Sequence, residues 1–250
     1  AGTGTHTFQA ESGRTITVDT TAVLADKAGE AGTLVKTGPG TLTLSGNNTY
    51  SGSTTVTGGI LTLNSGQAIP DNGVVTLSDS NGVSLVVKMS ETIGSLRGGG
   101  ANGGNVDLRS GQNLTVVETG NQTFAGQITG AGGLVKSGSG TLSLTKNNNS
   151  FVGGVTIDGG TLRGTNGAIS SFNTVVVNSG GTLGMGGTDT WGGAAATNTI
   201  SVTINSGGNM TSDNQFNTLR DLILNGGNVT LNGGHPAGAF CFGGTVSVYG

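Results

Sequence analysis

The chain has 250 residues, enough for one large domain or two ordinary ones, and its composition is far from average: 51 glycines, 38 threonines and 23 asparagines, with 9% charged and 4% aromatic residues. Glycine this dense without a G-X-Y period excludes collagen, and a formal net charge of −3 carried by scattered single acids and bases gives no Lys/Arg cluster for a phosphate backbone, so no nucleic-acid partner is expected. No apolar run approaches the ~20 residues of a membrane helix, so no membrane insertion by this segment is expected, and Cys241 as the sole cysteine excludes an internal disulfide.

From the N-terminus onward, strands are expected wherever Leu or β-branched residues alternate with Thr, Ser or Asn, beginning with "TIT" at Thr15–Thr17. "LVKTGPGTLTLSGNNTYSG" follows at Leu34–Gly52. Lys36 is expected to lay its stem along the coil and keep its ammonium in solvent, as is Lys136 in the later copy. "GGGANG" at Gly98–Gly103 has the glycine spacing of a phosphate-binding loop, but such a loop opens a helix, and the following "GNVDLRSGQNLTV" is another strand. It is therefore an ordinary loop. A near-copy of the earlier phrase, "LVKSGSGTLSLTKNNNSFVG", occupies Leu134–Gly153.

Beyond that point the period is short. "VTIDGGTL" (Val155–Leu162), "VVVNSGGTL" (Val175–Leu183), "VTINSGGNM" (Val202–Met210) and "LILNGGNV" (Leu222–Val229) share one pattern, and "FGGTVSV" (Phe242–Val248) keeps its later part. Each is a strand, an Asn or Asp, a Gly-Gly and a second strand. The leading glycines, Gly159, Gly180, Gly207, Gly226 and Gly243, are spaced by 21, 27, 19 and 17 residues. A unit of ~20 residues made only of strands cannot bury its own apolar face and must stack on its neighbours. Winding once per repeat sets each strand beside its equivalent, ~4.8 Å away and parallel. Asn178, Asn205 and Asn225 are then expected to form a ladder ending at Asp158. The inward positions are Leu42, Leu44, Val56, Leu61, Leu63, Leu142, Leu144, Val155, Ile157, Val202, Ile204, Leu222 and Leu224. A β-sandwich of hairpins is the competing architecture.

The phrase at Gly130–Leu162, "GAGGLVKSGSGTLSLTKNNNSFVGGVTIDGGTL", resembles the autotransporter-associated β-strand repeat of passenger domains in the type V secreted proteins of Gram-negative bacteria. Its elements are Leu134, Lys136, Gly138, Gly140, Thr141, Leu142 and Leu144, then Asn147, Asn148 and Phe151, then Gly159, Gly160 and Leu162. The earlier copy carries them as Leu34, Lys36, Gly38, Gly40, Thr41, Leu42, Leu44, Asn47, Asn48, Tyr50, Gly58, Gly59 and Leu61. Glu91–Gly130 is similar to the segment that commonly precedes this repeat. The resemblance implies an all-β, right-handed parallel β-helix, here of about a dozen coils. It implies export across the outer membrane to the cell surface and a role in adhesion or self-association. Residues 1–250 are expected to form one β-helix, a fragment of a longer surface protein, with the hundred-residue spacing a super-repeat of about five coils. No outer-membrane barrel follows within these residues.

Residues 184–199, "GMGGTDTWGGAAATNT", form a loop insertion in the longest step and hold Trp191, the single tryptophan. Asp189, Thr190 and Trp191 are the candidate ligand- or partner-binding residues, through stacking on a sugar; alternatively Trp191 folds back over an exposed coil. No catalytic, cofactor or metal site is expected. The acids are isolated in sequence, although stacking would bring Asp107 near Glu118 or Glu91, and His6, His235 and Cys241 are too few and too spread for a metal centre. The expected role is a structural or adhesive rod whose partners are a host or neighbouring cell surface, glycan or like chains. A polysaccharide-degrading enzyme, an ice- or mineral-binding Thr array and a filament subunit are the alternatives.

Overall fold

In Thr41–Leu44 the side chains alternate between half-buried threonine and fully buried leucine, and most strands of the chain repeat this period of two. In the computed structural model the described residues are 4–165, 174–187, 200–213, 217–232, 240–242 and 245–249. One turn of the chain is Ser95–Gly98, Asn105–Leu108 and Asn113–Val117, and the next is Asn121–Phe124, Ile128–Gly130 and Gly133–Ser137. Each of these three strands pairs in parallel with the strand one turn later.

The protein is therefore a three-faced parallel β-solenoid. Among the described residues its first face has eleven strands, from Thr5–Gln9 to Asn228–Asn232. The second has seven, from Thr15–Val18 to Ser150–Phe151, and the third eight, from Glu91–Ile93 to Val246–Tyr249. No antiparallel hairpin joins the strands of these faces, which removes the sandwich. About a dozen coils overcounts the turns walled by regular strands. Before Glu91 the third side is irregular, because Asn48–Tyr50 and Ala68–Pro70 turn the corner without a ladder.

Stacking turns like residues into rows. On the second face Ile16, Leu42, Leu61, Leu85, Val106 and Ile128 follow one another in register. From Leu42 onward that row is fully buried. Of the predicted inward residues all are buried except Leu224, which packs against the core half-buried. The outward row beside them reads Thr17, Thr43, Thr62, Val86, Asp107 and Thr129. Its threonines are consecutive for three rungs and then interrupted, so the flat regular array needed for ice or mineral does not extend along this face.

The two long copies do not sit on equivalent faces. Thr33–Thr37 and Thr41–Leu44 turn from the first face to the second, whereas Gly133–Ser137 and Thr141–Leu144 turn from the third to the first. Along the first face, Asn121–Phe124 is four strands beyond Thr33–Thr37, and Gly133–Ser137 is two faces further on. The hundred-residue spacing is thus four and two-thirds turns, not five. The phrase encodes a corner, and a corner needs only two strands and the adjacent coils, so two different corners accept it.

Candidate functional site: a polar corner and its cleft

Lys36 lies two residues after Leu34 on one strand, and the period of two places both side chains inward. Lys36 and Lys136 are fully buried, which corrects the solvent-facing expectation. Lys36 Nζ donates to the carbonyls of Thr37, Gly38 and Gly58 at 2.7, 2.8 and 2.9 Å. Lys136 Nζ donates to those of Ser137, Gly138 and Gly159 at 2.5, 3.0 and 3.0 Å. Each ammonium spends all three N–H groups, two on its own corner and one on the coil above. Burial lowers both ammonium pKa values, that of Lys136 to about 8, with nearby Glu118 opposing the shift.

The asparagine of the repeat works in the same way. Asn48 is buried, accepts from Leu24 N at 2.8 Å and donates to Ala68 O at 2.8 Å, tying together the coils on either side. Its counterpart is Asn149, which accepts from Ile128 N at 2.6 Å, and not Asn148. The second copy is one residue longer in this turn, and Asn148 takes up the extra residue at a φ of 67°.

The corner between the third and first faces carries a polar line along the rod. Asn178 Nδ2 donates to Asp158 Oδ1 at 2.7 Å, Asn205 Nδ2 to Asn178 Oδ1 at 2.8 Å, and Asn225 Nδ2 to Asn205 Oδ1 at 3.2 Å. The predicted ladder forms, directional and ending on a carboxylate. Going toward the N-terminus, the same corner passes Lys136 and reaches Glu118 and Ser95.

There the corner opens into a cleft of about 450 Å³ whose lining includes Asn72, Val74, Thr92, Arg97, Val117 and Thr119, with Asp71 beside them. Ser95 and Glu118 are 3% and 2% exposed at its base. Ser95 Oγ donates to Glu118 Oε2 at 2.6 Å, Gly120 N donates to Glu118 Oε1 at 3.2 Å, and Arg97 Nε donates to Ser95 Oγ at 3.1 Å. Sequence reasoning missed this group because Ser95 and Glu118 are 23 residues apart. That distance is one turn here, but turn length varies along the chain, so no constant offset pairs the two residues in advance.

Glu91 is a separate buried acid, accepting from Ile69 N at 2.7 Å and Ala68 N at 3.3 Å. Burial raises its pKa from 4.5 to about 8, against those two donors, with Asp71 adding to the rise. Between those values the folded chain holds a proton that the unfolded chain has lost. The stability Glu91 contributes is complete below pH 4.5 and is lost as pH rises through about 8. Glu91→Gln should flatten this limb of the urea midpoint plotted against pH; an unchanged slope would assign Glu91 an ordinary carboxyl.

Glu91, Glu118 and Asp107, the acids that stacking was expected to bring together, do not converge. Glu91 is in register with Leu114, four residues before Glu118, a backbone separation of roughly 13 Å along the strand at ~3.3 Å per residue. Asp107 pairs instead with Arg109 at 3.1 Å. Asp79 occupies the amides of the "GGGANG" loop, accepting from Asn102 N at 2.7 Å and Gly103 N at 3.1 Å, so that loop is a corner held by the coil below. His6 sits against Tyr50 and bonds Ala25 O at 3.0 Å. Among the described residues no three His, Cys, Asp or Glu cluster. Asp189, Thr190, Trp191 and His235 lie outside the described residues, as does the 188–199 portion of the insertion. No helix of the described residues is long and apolar enough to cross a membrane.

Residues 34–63 and 134–163 match the passenger-associated-transport-repeat family. A stretch of 120 residues, 46% of the chain, is 39% identical to the "Adhesin BmaC autotransporter" of Brucella suis biovar 1 (strain 1330). The chain spans 3% of the length of that relative. No solved structure matches the chain significantly.

Proposed function

The chain carries two passenger-associated transport repeats on a parallel β-solenoid and is distantly homologous to an autotransporter adhesin; from that premise we propose that it is a stiff, non-enzymatic adhesive segment displayed outside the outer membrane. The observation that carries this reading is the solenoid itself, built on repeats of a passenger family. Backbone ladders on three faces give stiffness, and outward Thr, Ser and Asn rows give a polar, nearly uncharged surface. Many weak contacts along such a rod add up to firm attachment without any single strong site. Low charge also limits repulsion between like rods, which favours homotypic pairing.

The test is attachment. Beads coated with the chain should adhere to cultured host cells several-fold more than beads coated with an unrelated protein of similar size and charge. Equal adherence of the two bead types removes the adhesive role and leaves a spacer.

A further inference from the structure

We propose that the cleft at Arg97 is a binding site for a carboxylate-bearing sugar unit of an acidic glycan. The inference deepens the adhesive reading and rests on it. Glu118 spends one oxygen on Gly120 N and the other on Ser95 Oγ, and Ser95 Oγ in turn receives Arg97 Nε. The buried carboxylate therefore orients the Ser95 hydroxyl, which in turn restrains the guanidinium through its Nε. Among the described residues that Nε bond is the only hydrogen bond of the Arg97 side chain. Its terminal nitrogens remain for a ligand, and a fixed planar fork matches a carboxylate through two parallel N–H donors.

The remaining lining fits a pyranose. Val74 and Val117 supply apolar surface for the C–H face of a ring, and Asn72, Thr92 and Thr119 supply donors and acceptors for hydroxyls. The volume, about 450 Å³, lies within the usual range of small-ligand sites. Asp71 on the same lining disfavours a doubly charged phosphate and is compatible with a single carboxylate.

Calorimetric titration of the full chain tests the site, using a glucuronate-containing hyaluronan tetrasaccharide as probe and neutral chitotetraose as control. The acidic probe should bind at least tenfold more tightly than the neutral one. Arg97→Gln should weaken the acidic probe tenfold or more, and Arg97→Lys several-fold, because the charge stays while the fork is lost. Thr92→Trp, which fills the cleft from an outward position and leaves the Glu118 anchor intact, should abolish binding even if the Arg97 variants fold poorly. No binding of the acidic probe, equal affinity for both probes, or full binding by the folded Thr92→Trp variant overturns the assignment. If coated beads still adhere to cells in any of those cases, the cleft assignment fails alone and the adhesive rod stands.

Discussion

Gly140→Ala is expected to destabilise the solenoid by about 3–5 kcal/mol, the sum of overpacking strain and two weakened backbone hydrogen bonds. A Cβ at Gly140 would lie 1.9 Å from the carbonyl oxygen of Gly120 and 2.6 Å from its nitrogen, so the neighbouring backbone occupies the space. Neither partner is free to withdraw, because Gly140 N donates to Glu118 O and Thr141 N to Gly120 O, each at 2.8 Å. Spreading the rungs to admit a methyl group would break both bonds at a corner that also seats Lys136. Gly40, its counterpart, is blocked in the same way by Glu11 O at 2.2 Å and should respond alike. Gly111→Ala is the control: it sits at a φ of +71° with no atom within 4 Å, so it should cost only the ~1 kcal/mol of a left-handed backbone. Urea denaturation followed by circular dichroism measures all three. If Gly140→Ala and Gly111→Ala lose the same stability, the close approach of successive corners is wrong.

Lys136→Met should cost about 2–4 kcal/mol at pH 7, since three bonds from a charged donor are lost and only part of that loss is offset by no longer burying an ammonium. Methionine fills the volume of the stem but leaves the carbonyls of Ser137, Gly138 and Gly159 without the donor that now meets them. The pH dependence has a definite sign. Burial lowers the Lys136 pKa from 10.5 to about 8, so between those values the unfolded chain holds the proton that the folded chain has released. Stability of the parent protein therefore rises with pH across that window, and the variant lacks the rise. The gap between parent and variant should widen from pH 8 to pH 10.5. A variant as stable as the parent at pH 7 would show that the ammonium does not hold the corner.

These two residues, with the glycine between them, explain the repeated phrase that begins at Leu34 and Leu134. Lysine fills the carbonyls of the turn; the first glycine, Gly38 or Gly138, takes a left-handed φ of 72° or 73°; the second leaves room for the coil beneath. The strand alternation, the inward aliphatics and the Asn ladder were all legible, because each depends on a period of two or of about twenty that shows directly in the chain. The lysines were misread although the same period of two assigns them inward. Residue type suggested solvent, and only the carbonyl cage shows why an ammonium is tolerated inside.

The Ser95–Arg97–Glu118 cleft was not legible in the same way. Turns here range from 19 to 28 residues, so the partner of a given side chain one coil away is set by loop lengths and not by a constant offset. Asp107 illustrates this: stacking suggested another acid for it, and the structure pairs it with Arg109 on its own turn.

By itself, the sequence determined that the chain is all-β, that it winds in stacked coils and which aliphatic residues line the interior, since local alternation and a repeating unit too small to fold alone leave few other solutions. The tertiary structure decided which corner each copy of the phrase occupies, that two lysines are buried, and that a buried glutamate, a serine and an arginine meet at the base of a cleft. Those outcomes depend on cumulative register, the sum of every loop length before them, and no single stretch of residues carries that sum.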